Sequence, residues 1–386
     1  MAKYQVLSTN YKFMKRREFN QSLLGLMLAA NGRSPALQGS PQTAQADPMS
    51  SPSLSLTDIA GIRVGHFTSQ QRPTGCTAVL CEAGAVAGVD VRGSAPGTRE
   101  TDLLNPTNTV QQVHAIMLTG GSAYGLDTAT GAMRYLEEHG IGFKIDSPAQ
   151  GTKSRAPIVV PIVPAAVLFD LQVGDPKIRP NAESGYQACQ AAGNGPVVEG
   201  NVGSGAGATV GKAFGMQFAM KSGLGSSGIK VGSSEIVVAA LVAVNAVGDV
   251  SNPKTGKIVA GARTADGRGF RDSMAEILRG YQVLPPAAAN TTLGVVATNV
   301  AFDKAKMTKI AQMAQDGLAR TINPVHTPSD GDTIFALSTG TLKLNANHGH
   351  IGAIAAEMVS QAVLRAVMLA KSIPAFPSYE EMRQQQ

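Results

Sequence analysis

The amino-acid sequence predicts a layered α/β protein with strands buried between helices, on three observations. Apolar, β-branched runs suited to central strands recur at residues 236–244, 291–300 and 333–339. Runs of helical spacing lie among them. Met307, Ile310, Met313 or Ala314, and Leu318 share one face, and residues 351–371 set a Glu357, Gln361, Arg365 stripe against Ile354, Met358 and Ala362 until Pro374. Glycine is frequent, 43 of 386 residues, yet it is interleaved with Val, Ile and Ala. It therefore marks tight turns and close backbone approaches rather than low complexity.

The elements follow in order. Residues 47–60 are a lead-in. Residues 62–66, 77–81, 86–91 and 115–118 read as strands. Residues 118–125, Leu-Thr-Gly-Gly-Ser-Ala-Tyr-Gly, form a strand-to-helix turn, and a helix of small residues continues to about His139. Residues 252–256, Asn-Pro-Lys-Thr-Gly, are a turn. Residues 265–290 are charged and Gly-containing, and end in Leu-Pro-Pro-Ala-Ala-Ala-Asn. Such a Pro/Ala stretch predicts an exposed, semi-extended linker, and it runs straight into the apolar strand that begins at Thr291.

The composition is that of a globular protein, 43 % hydrophobic and 16 % charged. The apolar runs are too short or too Gly-broken to predict a membrane span. The N-terminus reads as an address. Lys12, Lys15, Arg16 and Arg17 precede a short apolar stretch at 22–30, and a polar segment ends in Ala44-Gln45-Ala46, a small-residue cleavage site. Arg16-Arg17 with Phe19 points to twin-arginine export to the periplasm and removal of residues 1–46. Those residues hold six basic side chains against Glu18 alone, so nearly all of the chain's +6 charge leaves with them. The remaining surface gives no reason to expect nucleic-acid binding.

Chemistry-bearing patterns are few. Cys76, Cys81 and Cys189 fit no disulfide framework and read as buried small hydrophobes. No Cys/His set has zinc-ligand spacing, so neither metal nor cofactor is expected. Residues 203–212 resemble a phosphate loop ending at Lys212, but Ala206 stands where its first glycine belongs and Ala213 follows the lysine, which excludes nucleotide binding. A Gly-rich tract can still present backbone N–H groups to an oxyanion. Asp330-Gly331-Asp332 opens an apolar strand. By turn statistics it is a cap, and by chemistry it could orient an amine or a hydroxyl.

Seven stretches, taken in order and spacing, carry a resemblance. They are residues 61–66 (Gly-Ile-Arg-Val-Gly-His), 74–77 (Thr-Gly-Cys-Thr), 118–126, 203–212, 290–293 (Asn-Thr-Thr-Leu), 323–327 (Asn-Pro-Val-His-Thr) and 330–333 (Asp-Gly-Asp-Thr). Together they resemble the DmpA peptidase family, which includes L-aminopeptidase/D-esterases, β-peptidyl aminopeptidases and nylon-oligomer hydrolases. The resemblance spans roughly residues 56–371. It implies a four-layer α-β-β-α sandwich of the kind shared with ornithine acetyltransferases and similar to Ntn hydrolases. It also implies a precursor that cuts itself once, here between Asn290 and Thr291, giving an α chain of 47–290 and a β chain of 291–386.

By the same resemblance Thr291 is the nucleophile. A threonine hydroxyl needs a base, and cleavage frees an α-amine of reference pKa about 8 that can serve in the same residue. Asn245 matches an amide beside the nucleophile, suited to an oxyanion contact. Lys212 matches a lysine of the nylon-hydrolase branch, and Asp330 with Asp332 match an acidic pair that would hold the Thr291 ammonium or orient its hydroxyl. An Asp-x-Asp in place of Ser-x-Glu tilts the chain towards that branch. Gly120, Gly121 and Phe169 match positions that border the substrate. Phe169 departs from the family's frequent tyrosine and cannot donate to an oxyanion.

The expected activity is therefore hydrolysis of short peptides or amides, aminopeptidase fashion, by an oligomer of αβ units. The alternatives are endo-hydrolysis of 6-aminohexanoate-type oligomers, acyl transfer of the ornithine acetyltransferase type, and a processed binding protein without turnover.

Overall fold

The computed structural model describes residues 54–146, 157–282 and 290–384. Among these, nine strands build the main sheet: β1 (Arg63–Thr68), β2 (Gly75–Val91), β3 (Thr98–Arg99), β4 (Gln112–Thr119), β5 (Ala165–Val167), β6 (Leu224–Lys230), β7 (Val237–Asn245), β8 (Thr291–Val300) and β9 (Thr333–Leu342). Their order is β6-β7-β8-β9-β2-β4-β5-β3, with β1 also on β2. The β8–β9 and β4–β5 pairs are parallel and the others antiparallel.

Side-chain alternation turns this sheet into two packed layers. Along β7, Val238, Ala240, Val242 and Val244 face one core while Ala239, Leu241 and Ala243 face another. The first core is closed by helices α3 (Lys304–Thr321) and α4 (His348–Met368), through Met307, Ile310, Leu318, Val359 and Val363. The second lies between sheet layers, where Leu241, Leu293, Val295 and Phe335 meet Val79, Ile116 and Leu118. On the far side of β2 and β4, Ala78, Leu80 and Met117 pack against α1 (Thr128–Glu138) and α2 (Ala182–Gln190). Three cores thus separate four layers, α-β-β-α. Strands apolar on both faces follow from that position, since neither face of β7 or β8 meets water.

β2 is the strand that joins the two layers. Its first half pairs with β1 and β4, its second half with β9, and the ladder to β4 shifts between Leu80 and Ala85. This break in the register interrupts the β4 ladder and lets one strand serve both layers. The sequence predicts two strands here, 77–81 and 86–91; they are one 17-residue strand with the irregularity between them.

The helices start where their caps dictate. The Asp303 side chain accepts from Lys306 N at the head of α3, and Asn347 accepts from Gly349 N and His350 N at the head of α4. At 21 residues α4 has membrane-spanning length and hydropathy. It is a core helix instead, and its polar stripe is used: Gln361 donates to Glu357 at 3.0 Å and Arg365 Nε to Glu199 at 2.8 Å. The three cysteines are buried and unbridged. Residues 1–46 and the Pro/Ala stretch 284–289 lie outside the described residues.

Candidate active site

The site forms where β7 ends and β8 begins. Thr291 is the first residue of β8 and pairs with Asn245, the last of β7. Thr291 is only 3 % exposed, and its hydroxyl donates to the Asn290 carbonyl oxygen, the carbonyl of its own preceding peptide bond. Asn290 is buried too, bridged in parallel to Asp330. Gly331 packs against the hydroxyl: a Cβ there would lie 2.7 Å from Thr291 Oγ and 2.7 Å from the Ala95 carbonyl oxygen.

Asn245 has a fixed orientation. Its Oδ1 accepts from Lys212 Nζ at 2.9 Å and Thr209 N at 3.1 Å, while its Nδ2 donates to the Phe169 carbonyl at 2.9 Å. A backbone N–H only donates and a carbonyl only accepts, so Thr209 and Phe169 permit one amide orientation, which leaves the second Nδ2 hydrogen not used by Phe169. Lys212 Nζ also donates to the Asn245 carbonyl at 3.2 Å. The Gly-rich tract supplies both Thr209 and Lys212. It is stitched in place by the buried Lys221, whose Nζ donates to the Gly205 and Ala208 carbonyls at 3.0 and 3.1 Å.

The acidic turn comes from the loop before β9. Asp332 Oδ1 accepts from Thr292 N at 2.7 Å, and its Oδ2 faces His326 Nδ1 at 2.9 Å. Asp330 Oδ2 accepts from Thr327 N at 2.7 Å, whereas its Oδ1 is buried without a hydrogen-bond partner among the described residues. A buried acceptor left open is costly, and it can receive a proton or a cationic donor. Burial, and then the neighbouring Asp332 charge, push Asp330 up to about 6, while Thr327 and Lys212 pull it lower. Burial pushes Lys212 down to about 7 against the opposing pull of Asp330, Asp170 and Asp332.

Thr291, Asn245, Lys212, Asp330 and Asp332 are thus brought to one place from four separate chain segments. Phe169 reaches it through its backbone carbonyl. Gly120 and Gly121 contact its neighbour Asp170 instead. Gly121 N donates to Asp170 Oδ1 at 2.9 Å, and a Cβ on Gly120 would meet Asp170 Oδ2 at 2.2 Å. Asp170 is an anchor that sequence reasoning missed. Buried with Arg72 at 2.7 Å and Thr74 at 2.7 Å, it fixes the chain on which the Phe169 carbonyl is displayed. Its partners lie 98 and 96 residues away, beyond any local pattern. His326 was missed as well, although it stands in one of the matched motifs.

Comparison with known proteins is consistent with this architecture. The sequence profile of peptidase family S58 matches residues 55–379. The chain belongs to peptidase family S58. An uncharacterized aminopeptidase of Mycobacterium leprae is 42 % identical over 361 residues, covering 86 % of this chain and 94 % of that one. A 6-aminohexanoate-oligomer endohydrolase of Kocuria is 30 % identical over 326 residues, covering 80 % and 84 %. Among solved structures, the L-aminopeptidase D-Ala-esterase/amidase of Ochrobactrum anthropi, described as a variant of the Ntn hydrolase fold, superposes with a TM-score of 0.60 at 17 % identity, covering 86 % and 93 %. A β-aminopeptidase of Burkholderia gives 0.59 at 20 % identity, covering 86 % and 92 %. These likenesses show the fold. Membership of family S58, with relatives named as aminopeptidases, supports a peptide-bond hydrolase.

Proposed function

We propose that this family S58 member is a self-processing amide hydrolase, cut between Asn290 and Thr291, with Thr291 as its N-terminal nucleophile on short peptides or amides. The observation that carries the reading is the Thr291 hydroxyl lying against the carbonyl of its own upstream peptide bond. In the uncut chain Thr291 Oγ attacks the Asn290 carbonyl carbon. The C–N bond breaks, the nitrogen takes the hydroxyl proton, and water hydrolyses the ester that remains. The freed α-amine then takes the Oγ proton in each turnover while Oγ attacks the substrate carbonyl. The leaving amine departs with a proton, and water releases the acyl group.

Around that chemistry the other residues have separable tasks. The second Nδ2 hydrogen of Asn245 is suited to the developing oxyanion, with Lys212 fixing the amide. Asp330 Oδ1 is suited to the Thr291 ammonium. No side-chain donor at Phe169 joins them, so Asn245 and backbone N–H groups carry the oxyanion.

A second reading, endo-hydrolysis of ω-amino-acid oligomers, is favoured by the Asp-x-Asp turn and the likeness to the Kocuria enzyme. Export before or after processing and assembly of several αβ units belong to the same proposal. The test is turnover of a chromogenic aminoacyl amide and of 6-aminohexanoate oligomers by wild type, Thr291→Ala and Thr291→Ser. Thr291→Ala should neither cut itself nor turn over either substrate, and Thr291→Ser should retain part of both. Turnover by Thr291→Ala would remove the nucleophile assignment.

A further inference from the structure

We propose that His326 is a positioning residue whose Nδ1–H fixes the Asp332 carboxylate, and through it the first peptide of β8 that carries Thr291. The inference rests on the assignment of Thr291 as nucleophile. Asp332 is a bridge rather than a free acid. One oxygen accepts from Thr292 N, the peptide nitrogen next to the nucleophile, at 2.7 Å. The other accepts from His326 twice, from its backbone N at 3.1 Å and from Nδ1 at 2.9 Å. Oδ2 already accepts the His326 backbone N–H, and we assign the Nδ1 hydrogen to the same oxygen. Among the described residues Nε2 is buried without a partner, and Nδ1 makes the ring's hydrogen bond there.

The backbone at His326 points the same way. Its φ is +56°, in the left-handed region, where Asn, Asp and His are the side chains most often accepted. That conformation turns both the backbone N–H and the ring of a single residue onto one carboxylate oxygen. Asp330, by contrast, keeps Oδ1 open. The two acids therefore divide: Asp332 is clamped by His326 and locates the strand, and Asp330 faces the chemistry. Without the ring, Asp332 keeps its backbone bonds but can swing about them, and Thr292 N with Thr291 moves too. A misplacement on the order of 1 Å at a reacting group costs about 10²-fold in rate.

Three substitutions read this out, because Gly, Asn and Asp all tolerate the backbone conformation. His326→Asn places an amide N–H near the Nδ1 position; His326→Asp is its isostere with no donor and a charge opposed to Asp332; His326→Gly removes the side chain. Each is purified, its fraction cut at Asn290–Thr291 is measured, and kcat and KM on an aminoacyl amide are normalised to the cut fraction. The expected result is slower cutting and a kcat lowered by about 10²-fold in the Gly and Asp variants, with KM changed little and most of the loss restored by Asn. Wild-type kinetics in the Gly and Asp variants would overturn the proposal, as would equal impairment of Asn and Asp, which would assign the effect to the imidazole ring itself or to folding. Should Gly fail to fold, the Asn/Asp pair still decides. A wild-type protein that is active but uncut would instead strike the nucleophile assignment, independently of these variants.

Discussion

Lys212 Nζ donates to both oxygens of Asn245, the side-chain Oδ1 at 2.9 Å and the backbone carbonyl at 3.2 Å. With Thr209 N and the Phe169 carbonyl, the lysine holds the amide at the end of β7, opposite Thr291. Asn245→Ala should lower kcat by about 10²–10³-fold with KM nearly unchanged, because an oxyanion donor acts mainly in the transition state. Lys212→Met should reproduce part of that loss by freeing the amide. Steady-state kinetics on the cut enzyme checks both, and a change confined to KM would remove Asn245 from the chemical step.

Gly331 tests the packing around the Thr291 hydroxyl. An added Cβ would lie 2.7 Å from Thr291 Oγ and from the Ala95 carbonyl, and 3.1 Å from Pro96 Cα. Contacts under about 3 Å force something to move, and the hydroxyl is the softest group present. Gly331→Ala should fold yet cut itself more slowly than wild type, followed by electrophoresis of the newly made chain over time. Unchanged processing would mean that the hydroxyl position is not critical.

Titration gives a third test. Asp330 is raised to about 6 from 3.8. Between those values the folded chain keeps a proton that the unfolded chain has released, so this group's stability contribution is present below 3.8 and lost as pH rises through about 6. Asp330→Asn should abolish that slope and raise the unfolding temperature at neutral pH, while turnover collapses, a trade expected where function requires a buried charge. In wild type kcat/KM should rise through about 6 as the carboxylate ionises, and that limb should vanish in the variant. Lys212 has the opposite sign: lowered to about 7 from 10.5, it makes stability rise with pH across that window. Thermal unfolding over a pH series, beside a pH–rate profile, measures all of this.

Residues 1–46 give a fourth prediction, drawn from Arg16-Arg17 and Ala44-Gln45-Ala46. Changing both arginines to lysine should retain the chain in the cytoplasm at full length. Unchanged export would point to the general route.

The layered α/β class was legible because β7, β8 and β9 are apolar on both faces, which marks strands enclosed on both sides. Helices α3 and α4 were legible from spacing, and their starts from Asp303 and Asn347 only once the caps were seen. Thr291, Asn245, Lys212, Asp330 and Asp332 were named from motif resemblance, not from periodicity. What escaped was long-range or conformational. The Arg72–Asp170 pair joins distant segments, the register shift within β2 disguises one strand as two, and the φ of +56° at His326 leaves no trace in residue type beyond a tolerance for it. Local pattern encodes which faces are buried; it does not encode which distant polar groups meet behind them.

The most direct test of the central claim is the N-terminal sequence and mass of the purified, active protein. Self-cleavage predicts a fragment of residues 291–386 beginning Thr-Thr-Leu-Gly, absent from Thr291→Ala. Fully active protein that remains one intact chain across Asn290–Thr291 would contradict it.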